Sequence, residues 1–78
     1  MNDKNRKQIQ KWIDNLEEIK TGIEKMVLDE TDKYDNMPES LQESERGESI
    51  QEAIENLDSS TMSIDDAIEY LQEAKNET

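Results

Sequence analysis

The chain has 78 residues, of which 21 are acidic and nine are basic, so its formal net charge is −12. Cysteine and histidine are both absent, which excludes disulfides, thiol chemistry and the commonest general base near neutral pH. A chain this short forms one small domain, and folding buries only about 60% of the surface of the unfolded chain. Stability then depends on well-patterned packing or on association with another chain.

The first helix is predicted over about residues 3–35. Its apolar residues fall into a seven-residue repeat that we assign to the packing core, namely Ile9, Trp12, Leu16, Ile19, Ile23 and Met26. A repeat of this kind keeps one side of a helix against a partner helix. Ile13 and Val27 widen the apolar stripe.

Residues 36–47 are predicted to connect two helices. Pro38 disfavours helix at the residue before it and is itself suited to a first helical turn. We therefore expect the first helix to end near Asp35 and a short helical turn to form at about Pro38–Gln42.

The second helix is predicted over about residues 48–75. Its apolar repeat supplies the other half of the packing core, namely Ile50, Ile54, Leu57, Ile64, Ile68 and Leu71. A break at Ser59–Thr61 is an alternative, because the segment Ser63–Asp66 is similar to a capping box. The spacing from Leu57 to Ile64 keeps the seven-residue repeat, which favours one continuous helix.

These elements predict an all-α fold, a long antiparallel helical hairpin of coiled-coil type within a single domain, 1–78. In the simplest register Leu16 lies level with Ile64. Each helix carries three apolar positions per heptad, whereas the seam of a two-helix pair needs only two. We therefore expect a homo-oligomer in which two hairpins pair into a four-helix bundle.

Catalytic, metal and cofactor sites are not indicated, so we expect a protein that is not an enzyme. The acidic run Asp29–Asp35 superficially resembles a calcium-binding loop. It places Thr31 and Lys33 at ligand positions and Tyr34 where the turn needs glycine. A solvated helix surface is the better interpretation of this run.

The charge is unevenly distributed. Residues 1–35 carry nine acidic and seven basic side chains, whereas residues 36–78 carry twelve acidic and two basic ones. One face of the second helix collects the uncompensated carboxylates, which are the predicted partner-binding residues: Glu48, Glu52, Glu55, Asp58, Asp65, Asp66, Glu69 and Glu73. Direct binding to nucleic acid is disfavoured, because affinity for phosphates comes from Lys and Arg. The expected partner is a host protein with a basic surface, the alternative being that the charge serves solubility.

Two smaller groups are weaker candidates for contact sites. The basic cluster Lys4, Arg6, Lys7 and Lys11 beside Trp12 is either a small contact site or the solvated start of the first helix. Leu28 and Met62 fall on outer faces and are either isolated exposed residues or anchors for a partner.

No membrane contact is expected. The sequence lacks an apolar run of the length that spans a bilayer, about 20 residues, and its N-terminus lacks the apolar core of a signal peptide. We therefore expect a cytoplasmic protein of the host cell.

The segment Tyr34–Glu48 reads YDNMPESLQESERGE and is followed by two apolar-striped helical stretches. In this combination the chain resembles small acidic helical proteins common in phage and prophage genomes. The resemblance implies a phage or mobile-element context and carries over no functional residues.

The leading functional hypothesis is a non-catalytic phage-type interaction protein. It would bind and inhibit a host protein, such as a nucleic-acid enzyme of CRISPR or another defence system, through its acidic helix face. The alternative is a structural or assembly component in which the hairpin is a packing unit. A regulator of transcription or replication is a third hypothesis that the sequence does not separate from the first.

Overall fold

The computed structural model describes residues 1–77 and is all-helical over that range. Helix α1 comprises Asp3–Asp35, the single turn α2 comprises Glu39–Gln42, and helix α3 comprises Glu45–Asn76. The two long helices lie antiparallel and form a rod of 58 × 14 × 11 Å. The predicted all-helical class and the long helix pair are therefore confirmed.

The seam between α1 and α3 follows a regular heptad on both helices. In α1 the seam residues alternate at steps of four and three: Ile9, Ile13, Leu16, Lys20, Ile23, Val27, Glu30 and Tyr34. In α3 they alternate in the same way: Gly47, Ile50, Ile54, Leu57, Thr61, Ile64, Ile68, Leu71 and Lys75. Within residues 1–77, the buried hydrophobic side chains are those of Ile9 and Ile13, at 6% and 1% exposure. The core is thus a thin line, best packed near the end of the rod where the two termini meet.

Three residues assigned to the packing core from the sequence lie outside this seam. Trp12, Ile19 and Met26 are 50%, 54% and 53% exposed. Their places opposite α3 are taken by Ile13 and Val27, which the sequence pattern had put at the edge of the stripe. A single partner helix covers only two of the three apolar positions in each heptad, so the third row stays on the surface.

The connection is held by two glutamine side chains. Gln42 Nε2 donates a hydrogen bond to the main-chain oxygen of Tyr34 at 2.8 Å, and Gln51 Nε2 donates to Tyr34 Oη at 2.9 Å. The turn α2 folds back against the start of α3, where the backbones of Gln42 and Gly47 approach closely. Glycine is required at position 47 because an added Cβ would overlap the backbone of Gln42.

The opposite end of the rod is closed by a basic side chain of α1. Arg6 donates from Nε to the main-chain oxygen of Lys75 at 3.1 Å and from a terminal nitrogen to that of Glu77 at 3.0 Å. Lys75 Nζ in turn donates to Gln10 Oε1 at 2.6 Å. Arg6 therefore caps carbonyl groups at the C-terminus of α3, where the helix dipole also favours a cation.

Helix α3 runs continuously through Ser59–Thr61, as the unbroken repeat predicts. Ser60 Oγ donates to the main-chain oxygen of Leu57 at 2.6 Å, and Thr61 Oγ1 donates to that of Asp58 at 2.7 Å. These bonds satisfy the hydroxyl groups on the helix itself, so they do not interrupt it.

The register differs from the simplest one by about one helical turn. Lys20 lies level with Asp65, and Tyr34 lies level with Gln51. The predicted pairing of Leu16 with Ile64 is therefore displaced by about one turn. The connection is asymmetric, because α2 packs on α3 and shifts the level at which the two long helices pair.

Candidate interaction surfaces

The eight carboxylates predicted to bind a partner are all exposed and lie along α3, away from the seam. We call this set, Glu48, Glu52, Glu55, Asp58, Asp65, Asp66, Glu69 and Glu73, the acidic ridge. No lysine or arginine occurs between Glu48 and Glu73 in the sequence. Among residues 1–77, Asp65 is the one member that forms an ion pair, with Lys20 Nζ at 2.7 Å.

The ion pair between Lys20 and Asp65 crosses the seam from α1 to α3. The hydrogen bond to the Asp65 carboxylate raises the pKa of Lys20 above its usual value, and the nearby charges of Glu24 and Glu17 act in the same direction. Lys20 is therefore a protonated cation at neutral pH, and it is paired with one oxygen of the Asp65 carboxylate. The remaining carboxylates of the acidic ridge have no such counter-charge in the described part of the chain.

The basic cluster at the start of α1 is divided by the structure. Arg6 is engaged with the end of α3, whereas Lys4, Lys7 and Lys11 are exposed. If the cluster is only the solvated start of the first helix, Trp12 is expected in the seam. In the structure Trp12 is instead half exposed, beside the basic cluster. The capping role of Arg6 was missed at the sequence level, because it depends on the distant end of the chain.

A second surface runs along the side of the hairpin that carries Trp12. Two outward rows of α1 pass through Trp12 and Asn15 between residues 5 and 26. Two outward rows of α3 pass through Ala67 and Ser63 between residues 49 and 74. We call these four heptad rows the uncharged face, because each of their residues is apolar, small or neutral polar. Charged residues make up 38% of the chain, so this long uncharged region is a distinct feature of the surface.

The two helices share a shallow groove on the uncharged face. It has a volume of about 590 Å³ and is lined by Met26, Ala53, Asn56 and Ser60 of that face, together with Glu30 and Leu57 of the seam. A second groove of about 430 Å³ lies at the connection, between Met37, Leu41 and Ile50. The first groove exposes apolar atoms beside Met26, where the third apolar row of α1 is left uncovered.

Leu28 and Met62, predicted on the outer faces of the two helices, are 65% and 67% exposed. They lie outside the uncharged face, on heptad rows that otherwise carry charged or polar residues. Their exposure agrees with both interpretations, isolated surface residues and anchors for a partner.

The acidic run Asp29–Asp35 continues α1 to its end and does not form a loop. In the part of the chain that the structure describes, no group of three or more His, Cys, Asp or Glu side chains is arranged to hold a metal ion. Over the same residues, no helix is long and apolar enough to cross a membrane.

Comparisons with protein-family models, with curated proteins and with solved structures give no match for this chain.

Proposed function

We propose that this protein is a non-catalytic binding protein that engages a basic surface of a partner protein through the acidic ridge. The observation that carries the proposal is the run of exposed carboxylates on α3, of which only Asp65 meets a cation of residues 1–77. Like charges at neighbouring helix positions cost a few tenths of a kcal/mol each, so stability alone would favour interspersed lysines. A partner that supplies the missing cations explains their absence here.

The charge density of the acidic ridge indicates which basic surface it fits. From Glu48 to Glu73 an α-helix rises about 38 Å, which gives about one carboxylate per 5 Å. One strand of DNA carries a negative charge about every 3.4 Å, and a duplex carries twice that density. The acidic ridge is therefore closer to a single strand than to a duplex, and it suits a groove that normally holds nucleic acid.

Our proposal takes the partner to be a host nucleic-acid enzyme, such as a nuclease of CRISPR or another defence system. Support comes from the charge pattern and from the resemblance of the segment 34–48 to small acidic phage and prophage proteins. Occupation of the nucleic-acid groove by α3 would inhibit the enzyme, since the substrate and the acidic ridge compete for the same cations.

The test is affinity capture from nuclease-treated host lysate, read by quantitative mass spectrometry at about 0.1 M and about 1 M salt, between which the Debye length falls from about 10 to about 3 Å. The ridge variant changes Glu52, Glu55, Asp66 and Glu69 to Lys. A matched control makes the same change in net charge on exposed residues of α1, namely Asp14, Glu18, Asp32 and Asp35.

We expect the native chain and the α1 control to capture a nucleic-acid enzyme at low salt, and the ridge variant to lose it. The captured enzyme should also fail to bind a labelled oligonucleotide while the native chain is present. Capture that is equal for the native chain and the ridge variant would show that the acidic ridge is not the contact.

The second candidate function is that of a structural or assembly component. The half-exposed row Trp12, Ile19 and Met26 favours it, because this row offers an apolar contact that is independent of charge. Both candidate functions are compatible with the pairing of two hairpins into a four-helix bundle. Retention of the chain itself or of particle proteins at both salt concentrations, with no nucleic-acid enzyme, would favour this second candidate.

A further inference from the structure

The uncharged face carries two parallel rows of opposite shape. The row from α1 is large, consisting of Trp12, Ile19 and Met26, and all three side chains are about half exposed. The row from α3 is small, consisting of Ala53, Ser60, Ala67 and Ala74. Both rows repeat every seven residues, a rise of about 10.5 Å along a helix, so they stay in step along the whole face.

The register of the hairpin sets the level of one row against the other. Because Lys20 lies level with Asp65, Ile19 lies level with Asp66, which is one residue from Ala67. The same register places Met26 one residue from the level of Ser60, and Ser60 and Ala53 line the groove beside it. Each large side chain thus lies close to the level of a small one.

We propose that a second copy of this chain docks on the uncharged face, related by a two-fold axis that runs along the rod. This rotation places α1 of each copy over α3 of the other at unchanged levels. Each large side chain of one copy then packs on a small residue of its partner, which leaves room for it. The inference rests on the pairing of hairpins proposed above and specifies which surfaces meet.

The alternative two-fold axis, perpendicular to the rod, fits the surface poorly. It would place large residues on large residues at one side of the interface and small residues on small ones at the other. The first arrangement sets the three large residues of α1 against small residues of α3, and this self-complementarity favours a second copy over an unrelated partner.

The size of the uncharged face is that of a weak dimer interface. In the register of the hairpin, the uncharged stretches of α1 and α3 lie side by side over about 15 residues, or about 22 Å, and two adjacent helices of about 10 Å diameter make this part about 20 Å wide. Each copy therefore offers about 450 Å² to the other, which is below the value of about 800 Å² per partner in a standard protein interface and typical of weak association.

The distribution of charge agrees with this contact. Each chain has a net charge of −12, so two copies repel one another at long range. In the proposed arrangement the acidic ridges of both copies lie outside the interface and point away from it. Salt should therefore strengthen the dimer, whereas it should weaken binding of a basic partner to the acidic ridge.

The test is sedimentation equilibrium of the purified chain from low micromolar to millimolar concentration, at about 0.1 M and about 1 M salt. We expect a dimer of twice the 9.1 kDa chain mass, tighter at the higher salt. Trp12 is the single tryptophan, so its fluorescence emission should shift to shorter wavelength as the dimer forms and covers it.

Two variants probe the uncharged face and two serve as matched controls. Ile19→Glu buries a carboxylate in the interface, and Ala67→Trp places a large side chain against Ile19 of the other copy. Each should raise the dimer dissociation constant by about a hundredfold or more. Leu28→Glu and Met62→Glu change exposed residues outside the face and should leave that constant unchanged at about 1 M salt, where the repulsion of the added charge is screened.

Far-UV circular dichroism checks that every variant keeps its helices, as expected for exposed positions. A dimer that tolerates both Ile19→Glu and Ala67→Trp would overturn this interface while leaving the pairing of hairpins standing. A monomeric mass at all concentrations and both salts would overturn the pairing itself. Neither result bears on the acidic ridge, whose failure is instead read from partner capture by the ridge variant.

Discussion

The two glycines of this chain occupy opposite environments, and replacing each with alanine gives a matched pair of variants. Gly47 is buried in the first turn of α3, and a Cβ built there would overlap the backbone of Gln42, at 2.7 Å from its Cα. Gly22 lies inside α1, and beyond its own helical turn no atom of residues 1–77 comes within 4 Å of a built Cβ. The pair separates helix propensity from the close approach of α2.

The magnitudes follow from these two environments. Alanine is favoured over glycine inside a helix by about 1 kcal/mol, so Gly22→Ala should gain that amount unopposed. Gly47→Ala gains the same amount, but it forces backbone atoms apart, and overpacking of this kind costs up to about 3 kcal/mol. A net loss of about 2 kcal/mol is expected. Since 1 kcal/mol moves the Tm of a domain this small by about 4–8 °C, the two variants should differ in Tm by about 12–24 °C.

The assay is thermal and urea unfolding followed by far-UV circular dichroism, with the native chain and both variants at one low protein concentration. Low concentration matters because Gly22 lies on the uncharged face and association would add to the measured stability. Equal stabilisation by Gly22→Ala and Gly47→Ala would refute the reasoning. It would mean that α2 can move away from α3 without cost and that Gly47 is not required.

Two further predictions concern the contacts between the long helices. Arg6→Met removes the hydrogen bonds to the last carbonyls at the end of α3 and should destabilise the hairpin by about 1–2 kcal/mol. The control Lys7→Met changes a neighbouring exposed residue and should have little effect. Thermal unfolding measures both variants, and equal losses of stability would contradict the capping role of Arg6. Asp65→Asn removes the ion pair with Lys20. The pKa of Lys20 is raised in the folded state, so the stability from this pair is complete below the unfolded value of about 10.4 and is lost as the pH rises through the higher folded value. The difference in stability between the native chain and Asp65→Asn should therefore shrink above about pH 10, and a difference that stays constant across that range would argue against the ion pair.

The sequence predicted the seam of α3 better than that of α1, and the reason is visible in the heptads. In α3 the row that begins at Ile54 offers two isoleucines for the seam, and the competing row offers only alanine and serine. In α1 both candidate rows carry large apolar residues. One row holds Trp12, Ile19 and Met26, and the other holds Ile13 and Val27 with Lys20 between them.

Hydrophobicity alone favours the wrong row of α1 for the hairpin seam. The larger side chains belong to the row that stays half exposed, while the structure places Lys20 in the seam next to Asp65. A pattern with three apolar positions per heptad does not reveal which two of them face the partner helix of the same chain. That choice depends on tertiary packing, and the remaining row is free to contact another molecule.

Two other features depend on contacts that sequence patterns do not contain. Arg6 reads as one cation in a solvated basic cluster until the register brings it to the end of α3. In the sequence Gly47 looks like an ordinary glycine near a helix start. In the structure it allows the backbone of Gln42 to lie against the first turn of α3. The position of the acidic ridge, by contrast, follows from helical periodicity alone. Its residues lie on the side of α3 away from the apolar repeat, and this side can be read from the sequence without knowing the tertiary contacts.

The segregation of charge connects the two proposed surfaces thermodynamically. If two copies pair through the uncharged face, the carboxylates of both acidic ridges repel one another across the bundle, and this repulsion limits the stability of the dimer. A basic partner bound to the acidic ridge neutralises part of that charge and so strengthens the pairing. Coupling between two binding equilibria is reciprocal, so pairing must strengthen partner binding by the same factor. Under both proposals, an acidic ridge without lysines would lower the stability of the dimer alone, and the bound partner would restore it. This arrangement is expected of a chain whose acidic ridge serves binding rather than folding.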